Sequence, residues 1–196
     1  MKIKTLIISA ALAMSANVAF AKNMLASLTE MIPAPSAKTA SFAGGATYRL
    51  CFVPDGASCE QLLVDSINQT KRSLLIQAYS FTNTKIAGAV KHAKDRGVDV
   101  RVILDKSQYT EKYSSATFLK NAGIPIVIDN DPAIAHNKVM VFDQESVFTG
   151  SFNFSKSAQE RNAENGIVIA GDQNVVKAFT DNFSKRFRAS TQYNNR

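Results

Sequence analysis

Short apolar runs alternate with segments of helical period along this chain, and that alternation restricts the fold to a sheet covered by helices. Residues 48–53, closed by Pro54, read as a strand, and residues 58–71 as a helix with Leu62, Leu63 and Ile67 on one face. A strand at 73–80 comes next. Thr82 and Asn83 then cap a helix running to Arg96, with Ile86, Ala89, Val90 and Ala93 inward and Gly97 as its stop. Residues 98–104 read as a strand, 110–121 as a helix and 124–128 as a short strand. Strands then cluster at 138–142, 146–149 and 166–170, ahead of an amphipathic helix at 172–188 that carries Val175, Val176, Phe179 and Phe183. The pattern predicts an α/β fold, a mixed β-sheet flanked by helices on both faces, without internal repeats.

The first 45 residues have another character. Residues 1–21 read as a secretory signal peptide: Lys2 and Lys4 at the start, a mostly apolar stretch at 6–20, and a small-x-small site at Ala19-Phe20-Ala21. The apolar stretch is short for a membrane span and is broken by Ser15 and Asn17. Residues 22–45, with Pro33, Pro35, Gly44 and Gly45, read as a poorly ordered leader holding a short helix at 23–31, which leaves one domain over 46–196. Loss of Lys2 and Lys4 would take the formal charge from +7 to +5, a surplus that suits nucleic acid or anionic lipid without choosing between them.

Export would place the chain in a periplasm or outside the cell, where Cys51 and Cys59 are expected to form a disulfide. Closing that nine-residue loop is worth about 2.5 kcal/mol in the chain-entropy model. Two cysteines and two distant histidines do not make a four-ligand metal set, so neither metal nor other cofactor is expected.

The chemistry concentrates in His136, Lys138, Asp143, Gly150, Ser151 and Asn153, spaced H-x-K-x4-D-x6-G-S-x-N. Lys138 lies two residues from His136 at the start of a strand, so both side chains fall on one face. A phosphodiester repels anionic nucleophiles, and a neutral imidazole is a suitable attacking group. Lys138, Ser151 and Asn153 would then serve the non-bridging oxygens, each such donor worth roughly 10²- to 10³-fold in rate. The leaving alkoxide needs a proton, normally from a second imidazole. The other histidine, His92, stands in a charged helical segment and reads as a solvated surface residue. An identical second chain is the direct source of the missing acid.

These residues resemble the signature of the phospholipase D superfamily, and a single copy on a short chain resembles its small exported bacterial endonucleases. Ala78-Tyr79-Ser80-Phe81-Thr82 and Arg96-Gly97-Val98-Asp99-Val100 also resemble family segments, so the likeness extends from about Tyr48 to Phe187. It implies a homodimer with the active site at the two-fold interface, one His136 forming a phosphohistidine and the other acting as general acid, without a metal. It further implies that Glu164 holds His136 by its second ring nitrogen.

Plainer readings stand beside these. Asp143 can form a turn rather than contact phosphate, and Ser151 and Asn153 can cap a helix at 155–160. Glu160, Arg161 and Glu164 can be a solvated charged segment. Asp129, Asn130 and Asp131 can make a turn rather than a divalent-metal site, and Phe152 and Phe154 can pack in the core rather than stack on bases. The leading function is a metal-independent endonuclease on DNA, with RNA as an open extension and little sequence preference. A phosphatidyl hydrolase and a non-catalytic nucleic-acid-binding protein are the alternatives. No long apolar segment or aromatic-rich basic helix comes after the signal, so no stable membrane association is expected after its cleavage.

Overall fold

The computed structural model describes Ala37 and residues 39–194. The expected signal peptide at 1–21 and short helix at 23–31 lie outside the described residues. From Phe42 onward the chain forms one compact unit.

Eight strands form one mixed sheet: β1 (Thr47–Val53), β2 (Ser73–Ala78), β3 (Asp99–Asp105), β4 (Ile126–Asp129), β5 (Lys138–Phe142), β6 (Ser146–Gly150), β7 (Glu164–Ala170) and β8 (Thr191–Gln192), in the order β1-β7-β6-β5-β2-β3-β4-β8. β2, β3 and β4 run parallel, and every other pairing is antiparallel. Among the described residues five α-helices cover it: α1 (Cys59–Gln69), α2 (Thr84–Asp95), α3 (Ala116–Asn121), α4 (Lys156–Glu160) and α5 (Gln173–Ala189).

Strand residues alternate between two cores, as a pleated sheet buried on both faces requires. Leu74, Ile76, Met140, Phe142, Phe148 and Val168 join side chains of α1 to α4 in the larger core. Leu75, Ile103, Val127, Val139, Val141 and Val147 meet Val176 and Phe183 of α5 in the smaller one. The helices thus flank both faces, four on one side and one on the other.

Local chemistry explains the helix starts. Ser58, Asn83, Ser155 and Asp172 each accept backbone N–H groups of the helix they precede. Asp172 also accepts the Ala43 N–H at 2.8 Å, which ties the entry of β1 to the start of α5. The Cys51–Cys59 disulfide joins β1 to the first residue of α1.

The helix expected at 110–121 is not continuous. A 3-10 turn occupies Lys106–Tyr109 and the α-helix begins only at Ala116, because the Ser115 N–H is drawn to the Phe81 carbonyl at 2.8 Å. β4 starts at Ile126, two residues later than expected. β8 is an element that no pattern in the sequence announces.

Candidate active site

Strand direction gathers the signature residues along one edge of the sheet. Because β5 is antiparallel to both β2 and β6, its first residue, Lys138, sits opposite Ala78 at the end of β2 and on the side where β6 ends at Gly150. Gly150 in turn pairs with Gly166 of β7, and Val53 of β1 pairs with Glu164. The loops leaving β2 and β6, and the loops entering β5 and β7, therefore meet.

His136 is exposed at this edge, while Lys138 is only 6% exposed. The Lys138 ammonium lies 3.0 Å from His136 Nδ1 and 3.1 Å from Nε2, and donates to the His136 carbonyl at 3.1 Å. It can therefore donate to whichever ring nitrogen lacks a proton. Burial pushes the Lys138 amine below the ordinary lysine range, and the nearby Glu164 carboxylate offsets part of that.

Two residues outside the signature position it. The Tyr79 ring lies 4.4 Å from the imidazole, centroid to centroid, tilted by 51°, and the Lys138 ammonium is 5.0 Å from the same ring. Its backbone N–H donates to the Asn137 carbonyl at 2.8 Å, which fixes β2 against the signature loop. Asp105, at the end of β3, accepts the Ala135 N–H at 2.7 Å and the Ser107 N–H at 2.9 Å. Burial alone would raise its carboxyl, but those backbone donors hold it below the usual carboxylate range. Tyr79 lies within a family-like segment, yet its contact with His136 follows only from the pairing of β2 with β5.

The Gly-Ser-x-Asn segment is clamped on both sides. Ser151 and Phe152 donate their N–H groups to the Asn165 carbonyl at 3.0 and 3.2 Å, and the Asn165 N–H donates to Ser151 Oγ at 3.0 Å. The Phe154 carbonyl accepts from Thr82 and Asn83 at 2.9 Å each. Glycine is required at position 150, where φ is +156° and a Cβ would strike the Asn165 carbonyl; at Gly166 a Cβ would lie 2.5 Å from the Phe148 ring. Phe152 and Phe154 are fully buried, so both pack in the core and neither offers a stacking surface. Asn153 Oδ1 is buried and lacks a hydrogen-bond partner, alone in this respect among the described side-chain oxygens and nitrogens. An orphan of this kind costs about 1–3 kcal/mol.

Three expectations are corrected or narrowed. Asp143 follows the last residue of β5 at the opposite edge, about 17 Å from Lys138 at a strand rise of roughly 3.3 Å per residue. Its carboxylate accepts the N–H groups of Lys71, Arg72 and Ser73 at 3.0, 2.6 and 3.0 Å, so it holds a turn and is not at the site. Glu164 accepts from Asn162 Nδ2 at 2.8 Å, and no hydrogen bond joins it to His136. Asp129 is buried and paired with Arg186 of α5, with Nη2 3.1 Å from Oδ1, so the Asp-Asn-Asp stretch anchors a helix. Among the described residues no group of three or more His, Cys, Asp or Glu side chains is placed to hold a metal ion.

His92 lies near the end of α2. Because α2 connects parallel strands β2 and β3, its last turn returns to the edge where those strands begin, away from His136. The chain has two histidines, so the signature edge of one chain carries a single imidazole.

The chain has relatives among known proteins. Residues 63–187 match the family described as "Cardiolipin synthase, PLD-like domain". Over 136 residues the chain is 40% identical to a phospholipase D of Rickettsia conorii, covering 69% of this chain and 67% of that one. It is 30% identical over 155 residues to the human mitochondrial cardiolipin hydrolase, covering 79% of this chain and 60% of that protein. Among solved structures, Nuc from Salmonella typhimurium, described as a phospholipase D family member, superimposes with a TM-score of 0.72 and 34% identity, covering 76% of this chain and 99% of Nuc. NucT from Helicobacter pylori shares the fold, with a TM-score of 0.67 at 23% identity.

Proposed function

The chain belongs to the phospholipase D superfamily of phosphodiester hydrolases, and from that premise we propose that it is an exported, metal-independent endonuclease that cleaves DNA with little sequence preference. The observation that carries this reading is the exposed His136 imidazole at an open edge, backed at 3.0 Å by a buried ammonium. A polymer backbone can reach such a group without threading a tunnel. The likeness to Nuc, a phospholipase D family member matched over 99% of its chain, supports phosphodiester chemistry on this fold. The disulfide suits an oxidising compartment, which supports export.

In this reading a His136 ring nitrogen attacks phosphorus, the P–O bond to the leaving strand breaks, and a phosphohistidine forms. Lys138, the Ser151 hydroxyl and the Asn153 side-chain amide N–H donate to the non-bridging oxygens and stabilise their charge. The leaving alkoxide takes its proton from His136 of the partner subunit. That imidazole, now neutral, removes a proton from water, which attacks phosphorus and frees the enzyme histidine. Glu164 acts through its charge on Lys138.

A second reading, hydrolysis of a phosphatidyl headgroup, is favoured by the 40% identity to the Rickettsia phospholipase D. Digestion of DNA in a gel containing excess EDTA, comparing wild type with His136→Ala, tests the first. Cleavage by the wild type alone is expected. Loss of wild-type cleavage in EDTA defeats the metal-free mechanism, and equal cleavage by the variant defeats His136 as nucleophile. Choline release from phosphatidylcholine vesicles without DNA cleavage would select the lipid reading.

A further inference from the structure

The sheet edge that carries His136 also borders the face covered by α5. Lys138 alternates with Met140 and Phe142 of the larger core, so Asn137, the residue between His136 and Lys138, falls on the other side with Val139 and Val141 of the smaller core. Gln77 of β2 stands opposite Val139 and shares that side. Between these residues and α5 lies an open cavity of about 300 Å³, lined by Gln77, Asn137, Val139, Ala178, Phe179 and Asn182. Asn137 brings its wall to within one residue of His136, about 3.8 Å of chain.

The lining says what the cavity can hold. Gln77 is 2% exposed, and its Nε2 donates to Asn182 Oδ1 at 3.3 Å. Nothing among the described residues donates to Gln77 Oε1, and that oxygen is not sealed off as Asn153 Oδ1 is. A nearly buried acceptor left bare toward a cavity favours a ligand that brings a donor. The same bond orients both amides, so Gln77 shows its carbonyl and Asn182 its NH₂ group. Val139, Ala178 and the half-buried Phe179 add an apolar wall, and neither carboxylate nor cation lines the cavity among the described residues. Amides beside an aromatic wall match a nucleobase, whose edge carries N–H and C=O groups and whose faces stack. A cationic headgroup would find no counter-charge here, and a glycerol headgroup would leave the wall uncovered. The approach is cationic. The ion pairs of α5 are Lys177–Asp181 and Arg186–Asp129, which leaves exposed Lys185, one turn beyond Asn182, unpaired among the described residues.

We infer that this cavity is a base-binding subsite, which takes the nucleobase adjoining the scissile phosphate of a DNA strand held at His136. This rests on the DNA-cleaving reading and adds to it a contact beyond the phosphate. The strand crosses the sheet edge with its phosphorus at His136, the adjoining base against Phe179, an N–H of that base on Gln77 Oε1, and the following phosphate toward Lys185. Every DNA base carries an N–H donor and a stacking face, so the subsite holds a base without demanding a particular one.

A single-stranded oligonucleotide in which one nucleoside is replaced by a base-free tetrahydrofuran residue tests it. For the full chain, cleavage at the two bonds flanking that residue is compared with cleavage at the same bonds of the unmodified strand. A partly misfolded variant lowers both rates and leaves their ratio unchanged. Wild type is expected to cut one flanking bond about tenfold more slowly when its base is missing. In Gln77→Leu, which removes the acceptor, and in Ala178→Trp, which fills the cavity from an exposed helical position, the two strands are expected to be cut within about twofold of each other. A wild type that cuts both strands equally, or variants that keep the tenfold ratio, overturns the subsite and leaves the endonuclease reading standing. A wild type that cuts neither strand but hydrolyses phosphatidylglycerol vesicles defeats both. If Ala178→Trp keeps the oligonucleotide ratio but loses vesicle hydrolysis, the cavity belongs to a lipid headgroup and the proposal is overturned.

Discussion

Asp143 belongs to the signature in sequence but not to the site in space, and its replacement separates these two meanings. Its carboxylate accepts three backbone N–H groups, from Lys71, Arg72 and Ser73. In this half-exposed setting each is worth about 0.7 kcal/mol, so their loss costs about 2 kcal/mol. Asp143 also has φ of +53° and is followed by Gln144 at +58°, a turn closed by the Glu145 N–H on the Phe142 carbonyl at 2.9 Å. Alanine in that left-handed region costs about 1 kcal/mol more, which aspartate tolerates and glycine escapes. Asp143→Ala should therefore lose about 3 kcal/mol and Asp143→Gly about 2. At roughly 2–4 °C per kcal/mol for a domain of this size, the melting temperature should fall by about 6–12 °C and 4–8 °C respectively. kcat per folded molecule should stay within about twofold of wild type.

The acid dependence follows from the same contacts. Burial would raise the Asp143 carboxyl, but the N–H groups of Ser73, Arg72 and Lys71 outweigh it and hold it below the ordinary value. A depressed carboxyl stabilises fully above its unfolded value of about 3.9, and that share is lost as pH falls through the folded value. The gap between wild type and Asp143→Ala should therefore be constant near neutrality and shrink only in strong acid. Calorimetry with parallel single-turnover cleavage decides the matter. An unchanged melting temperature with kcat reduced more than about tenfold would refute the structural assignment.

Because burial lowers the Lys138 amine, the basic limb of the pH–rate profile should fall below the ordinary lysine value of about 10.4. Glu164→Gln removes the charge that offsets this and should move the limb lower still; a limb that rises instead would contradict the electrostatics. Tyr79→Phe should leave kcat within about twofold while Tyr79→Leu lowers it about tenfold, because the ring face and not the hydroxyl meets His136 and Lys138. Equal loss in both variants would count against the ring. Cys51→Ser with Cys59→Ser should cost about 2.5 kcal/mol, or about 5–10 °C, without altering the pH profile of cleavage.

Most strands were legible because a sheet buried on both faces needs nearly continuous apolar runs, as at 102–104 and 139–142. The segment before α3 was not, since nothing in its composition reports that the Phe81 carbonyl, some thirty residues away, takes the Ser115 N–H. β8 has two residues and no period to read; it forms because α5, anchored by Arg186 to Asp129, delivers Thr191 and Gln192 beside β4. Long-range contacts decide both elements, and local patterns carry no trace of them.

The site divides along the same line. His136 and Lys138 could be paired from sequence because a spacing of two in an extended segment puts them on one face. Tyr79 follows β2, which pairs with β5, and Asp105 ends β3, one strand further on; both reach the site through the sheet order, so no spacing announces them. Asp143 shows the converse error. Closeness in sequence suggested closeness in space, but five residues of extended chain carry it about 17 Å from Lys138. The H-x-K-x4-D part of the signature thus spans β5 from end to end. Its first half arms the edge where chemistry occurs, and its aspartate fixes the opposite edge, pinning the turn before β2 so that Tyr79, at the far end of β2, arrives in register over the imidazole.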